Sequence, residues 1–238
     1  MVKGSENTHV TQTKYKYSMI FPSPSCAFPS RPADCPKGDF SGTNEDGVPG
    51  TLRVLRWMNL FEKVNGHDIV YKWFDYLKKR GHFICGYVIM PNHVHALIGF
   101  MKTNQAISTI VGNGKRFMAY EIVNRLIKQK EKQTISQLEG GVNYTDRKRG
   151  KLHQVFEHSF EMKECFSDWF IAQKLNYIHN NPCSKKWNVS ASAYDYTHSS
   201  ALYYANGSIG SYIVTNVGVL KDVNLHCRQS PMGDSAGT

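Results

Sequence analysis

The chain has no uncharged apolar run of the ~18 residues that a membrane-crossing helix requires, so no membrane partner is expected. Its opening stretch, MVKGSENTHVTQTKYKYSMIF, lacks the basic start, apolar middle and small-residue cleavage site of a secretory leader, which makes a cytoplasmic protein the expectation. The six cysteines (Cys26, Cys35, Cys85, Cys165, Cys183, Cys227) form no CxxC pair, and scattered reduced thiols fit that compartment. No HExxH spacing is present, which argues against a zinc hydrolase. Internal repeats and low-complexity tracts are also missing, and 238 residues suit one sizeable domain with appendages. Negative charge is scarce: 19 Asp and Glu face 29 Lys and Arg, a net charge of +10.

An excess of that sign attracts polyanions, and its distribution favours nucleic acid. Lys115, Arg116, Arg125, Lys128, Lys130 and Lys132 recur along one helix-like segment, and DRKRGK adds Arg147, Lys148, Arg149 and Lys151. A solvated helix face and an exposed loop would show the same pattern. No amphipathic helix of membrane type accompanies it.

Residues 1–50 hold six of the nine prolines, at 22, 24, 29, 32, 36 and 49, which predicts a poorly ordered N-terminal segment. Its one candidate element is the alternating KYKYSMIF at 14–21. From 51 the pattern becomes regular. TLRVLRWM (51–58) reads as a strand. HDIVYKWFDYLKKRG (67–81) reads as a helix, with Ile69, Val70, Trp73, Phe74 and Leu77 at spacings of three and four and Gly81 closing it. HFICGYVIM and HVHALIGF read as two strands joined at Pro91 and Asn92. A helical segment follows from about 104 to 131, with a candidate break at GNG (112–114). Residues 134–152 read as a loop, HQVFEHSF (153–160) as a strand, and Ser167 caps a helix running to Asn180 that Pro182 ends. The tail from 206 to 238 is rich in Gly and Ser, with one apolar stretch, SYIVTNVGVL.

That order predicts an α+β fold: a ferredoxin-like antiparallel sheet with two helices on one face, plus an added C-terminal helix near the free face. In the strand HVHALIGF, His93 and His95 leave one side together, while Val94, Ala96, Ile98 and Phe100 fill the other. Two convergent imidazoles make a natural pair of metal ligands, and equally a hydrogen-bonded pair on a half-exposed strand. On the helix QKLNYIHNNP, the polar side carries Gln173, Lys174, Tyr177, Asn180 and Asn181, and the packing side Ile171, Ala172, Leu175 and Ile178. Asn181 precedes proline, a position biased away from helix.

MPNHVHALI followed by YIHNNP, with DYTHSSALYY after it, resembles the HUH single-tyrosine transposases, in particular the REP-associated tyrosine transposases and their insertion-sequence relatives. The resemblance runs from 51 to 205 and makes that span the catalytic domain. It implies His93 and His95 as the metal-binding pair, Tyr177 as the nucleophile, and Asn181 as a third ligand. It further implies Mg2+ or Mn2+ as cofactor, single-stranded DNA with hairpin-forming palindromic ends as substrate, a 5′-phosphotyrosine intermediate, and either a monomer or a homodimer. Lys115, Arg116, Arg125, Lys128, Arg147, Lys148, Arg149 and Lys174 are the expected DNA-contacting cations. The proline-rich segment departs from the family pattern and leaves two candidates, KYKYSMIF and TLRVLRWM, for the first strand. A decayed transposase or a non-catalytic nucleic-acid binder stays open beside the enzyme. An RNA-recognition domain would carry stacking aromatics where HVHALIGF carries histidines.

Overall fold

The computed structural model describes residues 17–21, 52–158, 161–165 and 167–220. The elements, in chain order, are β1 (Tyr17–Phe21), β2 (Leu52–Arg53), α1 (Leu60–Lys63), α2 (His67–Lys79), β3 (Phe83–Met90), β4 (His93–Gly99), α3 (Ile107–Lys128), α4 (Lys132–Gly140), α5 (Tyr144–Lys148), β5 (Glu161–Cys165), α6 (Asp168–Asn180) and α7 (Ala201–Asn206). The expected α+β class and antiparallel sheet are both present.

β4 is the strand around which the others are arranged, and all seven of its residues are buried. β3 pairs with it antiparallel from Met90–His93 to Phe83–Gly99, so the tight link at Pro91 and Asn92 joins two full-length neighbours. On the opposite edge β4 has two partners. β1 faces its second half, with Ser18 opposite Ile98 and Ile20 opposite Ala96, and β2 faces its start, with Leu52 opposite Val94. Moving two residues down β4, from Ala96 to Val94, moves an antiparallel partner two residues up. Leu52 therefore stands where residue 22 would stand had the strand simply continued. KYKYSMIF and TLRVLRWM thus supply two segments that pair with β4 in the register of one strand. β5 pairs with the outer edge of β1.

Alternation along β4 divides the interior. Val94, Ala96, Ile98 and Phe100 belong to the larger core with Ile69, Val70, Trp73, Phe74 and Leu77 of α2 and the buried stripe of α3. Each of those large side chains contributes ~1.5–3 kcal/mol on full burial. The second face packs Cys85, Val88, Met90 and Leu97 against Ile171, Leu175 and Ile178 of α6. Gly86 is what admits α6 to this face: a Cβ there would collide with the Leu175 side chain. The same residue lies at a register shift in β3.

Several local expectations are corrected. GNG does not break α3, because Gly114 is the flat spot on which the Trp73 indole lies, and the helix runs through it. Residues 134–152 are not a loop. They carry α4, buried through Thr134 and Leu138, and α5, whose Asn143 cap accepts from the Asp146 amide at 2.8 Å. Within HQVFEHSF the described residues make only an isolated bridge, Phe156 to Val54, and the strand appears at β5 instead. TLRVLRWM is a strand for two residues and then turns, with Arg56 and Trp57 both at positive φ. Toward the C-terminus, the described residues continue on the domain past 205: Val214 is buried in the larger core and the Tyr212 ring stacks on Tyr71 at 5.3 Å. Apart from β1, the proline-rich segment falls outside the described residues, as does the tail after 220.

The register predicts the outcome of deleting residues 22–51 and joining Phe21 directly to Leu52. Folding should survive, and stability should rise by at most ~3 kcal/mol, the closure entropy of such a loop. Thermal unfolding followed by circular dichroism reads this, and loss of a cooperative transition would show that the segment belongs to the core.

Candidate active site

His93 and His95 project from β4 toward α6, as the alternation requires, but this face is not open as expected. Both histidines have 0% exposure. The rings meet edge to face at 5.0 Å, and the Tyr177 ring meets His95 edge-on at 5.4 Å. Ser167 caps α6 by accepting from the Phe170 amide at 3.2 Å, which fixes the start of the helix and hence the rotation that aims Tyr177 at the sheet.

Asn181 overcomes the bias of its pre-proline position. Its backbone is helical (φ −56, ψ −43), its N–H donates to the Ile178 carbonyl, and its own carbonyl accepts from Ser184 at 3.2 Å. Its side-chain Oδ1 thereby lies 3.0 Å from His93 Nε2. The His93 ring has a defined protonation pattern. Asn92 Nδ2 donates to the Trp57 carbonyl at 3.1 Å, which leaves Asn92 Oδ1 as the acceptor 2.6 Å from His93 Nδ1. Burial, against the opposing pull of Asn181 and with the help of Lys186 and Arg53, holds the His93 pKa down to about 3. A neutral ring carries one proton, and Asn92 draws it to Nδ1, so Nε2 presents a lone pair. Two lone pairs, Nε2 and Asn181 Oδ1, then face each other at 3.0 Å. A cation accepting from both would relieve this.

The donor types, two imidazoles and one amide oxygen, are ones that could hold a divalent ion. A separation of 3.0 Å also matches adjacent ligands at the ~2.1 Å of an octahedral ion. Among the described residues no three His, Cys, Asp or Glu side chains could hold a metal ion together, so a third protein ligand beside the two histidines would have to be an amide such as that of Asn181. Borderline ions tolerant of imidazole, such as Mn2+, suit this set better than strictly oxygen-seeking ones.

The expected helical wheel of α6 is partly wrong. Ala172 and Asn180 are exposed, whereas Lys174 is buried, with its Nζ 5.0 Å from the centre of the Phe170 ring. His179, an unforeseen participant, is buried beneath α6 with Nε2 2.9 Å from Ser200 Oγ. Ser200 in turn accepts from the Tyr87 amide at 2.9 Å, tying the helix to the free edge of β3. The DYTHSSALYY segment lies along that edge: Ile89 N–H donates to the His198 carbonyl at 2.9 Å, and Tyr196 Oη to the Ile89 carbonyl at 2.8 Å.

The proposed DNA cations divide. Lys115, Arg116, Arg149 and Lys151 line one cleft of about 720 Å3 between α3 and residues 149–158, with Tyr120 exposed on its wall. Lys115 is half-withdrawn into it, donating to the Glu157 carbonyl at 2.7 Å, and its pKa is lowered by burial, then by Lys151, to about 8. The strip 154–157 runs from this cleft to β2, with Glu157 N–H donating to the Arg53 carbonyl at 2.8 Å. Arg125 belongs elsewhere. It makes a two-pronged pair with Asp68 at 2.7 Å and bonds Glu121 and the Asn65 carbonyl. Those bonds hold the Asp68 carboxyl down to about 2. Arg125 is a structural tie between α2 and α3, and we remove it from the proposed DNA surface. Arg147 donates to the Glu139 carbonyl, Lys148 lies 4.5 Å from the Tyr144 ring centre, and Lys128 is exposed.

No family model and no curated protein matches the chain. Among solved structures, that of a REP-associated tyrosine transposase bound to a REP hairpin aligns with 90% of this chain and 100% of its own, at 12% identity and a TM-score of 0.48.

Reading the buried histidines as neutral gives a pH prediction for the metal-free protein. His179 and His198 are lowered to about 4, and His67 is lowered, in each case chiefly by burial. Unfolded histidine takes up a proton near its ordinary 6.5 while these folded rings do not. The unfolded state therefore binds more protons in that interval, and stability falls as pH drops from about 6.5 toward about 4. Urea midpoints across this range should decline steadily, and His179→Asn should flatten part of the slope. Asp68 contributes only below it. A midpoint constant from pH 7 to 4 would contradict neutral burial.

Proposed function

We propose that the chain is a metal-dependent, single-stranded DNA nicking and joining transposase of the HUH single-tyrosine type, with Tyr177 as its nucleophile. One observation carries the reading: two imidazoles of β4, an amide 3.0 Å from one of them and a phenol ring 5.4 Å from the other all meet on one face of the sheet. The strand order, with β1 and β2 counted as one strand between β4 and β5, supports the ferredoxin-like arrangement of this type. No helix among the described residues is long and apolar enough to cross a membrane.

In the reaction, Tyr177 Oη attacks the phosphorus of the scissile phosphodiester. The new P–O bond to tyrosine forms as the bond to the 3′ oxygen breaks, and that oxygen leaves as a 3′-hydroxyl after taking a proton. The strand remains attached through a 5′-phosphotyrosine, and attack by a 3′-hydroxyl reverses the step without ATP. A phenol of pKa ~10 is a weak nucleophile at neutral pH. His93, His95 and Asn181 would hold a divalent ion, whose charge stabilises the phosphate oxygens during transfer. Asn92 keeps the His93 proton on Nδ1 and so keeps Nε2 available as a ligand atom. Lys174, buried one turn before Tyr177, adds positive charge that favours the phenolate and the incoming phosphate.

Substituting Tyr177→Phe removes only the hydroxyl. With a hairpin-bearing single strand and Mn2+, the wild type should give a denaturant-resistant protein–DNA adduct, and the variant should bind the strand without forming one. Its stability should change by no more than ~1 kcal/mol, the worth of one ordinary hydrogen bond. An adduct persisting in the variant would place the nucleophile elsewhere. No adduct from the wild type across substrates would favour a binding-only protein.

The same reading predicts salt-dependent binding through the cleft. Three phosphate contacts by Lys115, Arg116 and Arg149 give a slope of log K against log salt of about −2 on single strands. Arg116→Ala should make that slope shallower by about 0.7. Arg125→Ala should leave it unchanged and lower the thermal midpoint instead, because its partner is Asp68.

A further inference from the structure

We infer that Trp57 and Trp187, with Arg53 and Lys186 against their faces, form a stacking subsite for one unpaired nucleotide beside the phosphate that Tyr177 attacks; this deepens the proposed function and rests on it. The two indoles are 5.1 Å apart, and both touch the His93 ring, at 5.7 Å for Trp57 and 4.9 Å for Trp187. Whatever docks on them is therefore adjacent to the reacting centre. Both indoles remain partly exposed, and Lys186 is exposed.

The cations show what the site is built to hold. Lys186 Nζ is 4.3 Å from the Trp57 ring centre and 4.7 Å from that of Trp187, and the Arg53 guanidinium is 5.0 Å from Trp57. Neither cation forms an ion pair among the described residues. An exposed cation–π contact is weaker than a base stacked on an aromatic face. A base therefore displaces Lys186 from the indole faces, and the released ammonium finds the phosphate of the same nucleotide. A neutral apolar partner would bury both cations without an anion, and an acidic peptide would leave the ring faces unused. A nucleotide satisfies both halves of the site.

Backbone strain points the same way. Arg56 and Trp57 adopt φ of 51° and 58°, consecutive left-handed residues without a glycine, a conformation that L side chains disfavour. The turn is held by the Asn92 amide on the Trp57 carbonyl at 3.1 Å and by the Arg56 N–H on Glu157 at 3.1 Å. Its effect is to swing the Trp57 ring off the line of β2 and onto His93, outside both hydrophobic clusters. Strain retained for a partly exposed ring is explained by what that ring contacts.

The test measures binding of a short fluorescein-labelled oligothymidylate by anisotropy, in EDTA and without a hairpin, against an abasic strand of equal length. Wild type should prefer the base-bearing strand by about tenfold, the equivalent of ~1.4 kcal/mol of stacking. Trp187→Ala should lose that preference while binding the abasic strand as before. Trp57→Phe, which keeps an aromatic face, should retain most of it. Lys186→Ala should make the salt slope shallower by about 0.7. Equal affinity of wild type for the two strands overturns the inference, and so does an unchanged preference in Trp187→Ala. Because this readout needs no cleavage, base preference without any wild-type adduct would uphold the subsite and reject the enzyme. An adduct without base preference would do the reverse.

Discussion

Two imidazoles at zero exposure on the central strand of a sheet are the constraint around which the rest of this molecule is arranged. Burying an uncompensated polar ring costs free energy comparable to a lost hydrogen bond, and burying a charged one costs much more. The protein meets this on His93 by keeping the ring neutral and giving each nitrogen an amide: Asn92 on one side, Asn181 on the other. Those partners come from the turn after β3 and from the end of α6. Holding His93 therefore fixes the seat of α6, which fixes Tyr177. Gly86 makes room for Leu175 at the same seat, and the His179–Ser200–Tyr87 chain ties the helix to β3.

The elements legible in the sequence were those whose burial is one-sided and periodic. α2 shows three–four spacing because a single face meets the sheet, and β3 shows an unbroken apolar run because both its faces are covered. What escaped were short helices with little to bury. α4 is anchored mainly through Thr134 and Leu138, and α5 has no buried residue, so their sequences read as loop. Position mattered as well. Gly114 inside GNG reads as a break until Trp73 is placed over it, and TLRVLRWM alternates like a strand because nothing in the sequence announces two left-handed residues in succession.

The residues that meet at the candidate site were legible in the sequence, but their setting was not. His93, His95, Tyr177 and Asn181 are polar at spacings that single them out, and the structure brings them together. Their enclosure was not foreseen, since covering the second face required knowing that α6 docks there. Lys174 was misplaced for the same reason: a lysine on a helix reads as solvated until its stem lies under a ring. Trp57 and Trp187 carried weaker signals, two tryptophans far apart in the chain that only the fold makes neighbours of one imidazole, and Asn92 read only as a turn residue. Arg125 shows the converse. Its charge belongs to a basic series in the sequence, yet Asp68 claims it.

The agreement between the two motifs has a geometric basis. On β4, residues two apart are separated by ~6.8 Å along one face. On α6, residues four apart are separated by ~6 Å along one face. The two repeats are nearly commensurate, so a helix laid along the strand can place one side chain over each histidine. The chain runs antiparallel across the pair: Tyr177 meets His95, and Asn181 meets His93. This match requires that the helix keep its turn through Asn181, although the next residue is Pro182. Proline disfavours helical geometry in the residue before it; here the Ile178 carbonyl, the Ser184 amide and His93 together hold Asn181 in place. Pro182 then ends the helix one residue after its last useful side chain. A helix stopping one residue earlier would lose the amide over His93, and one turned by a single position would carry Ile178 to the histidines instead of the phenol.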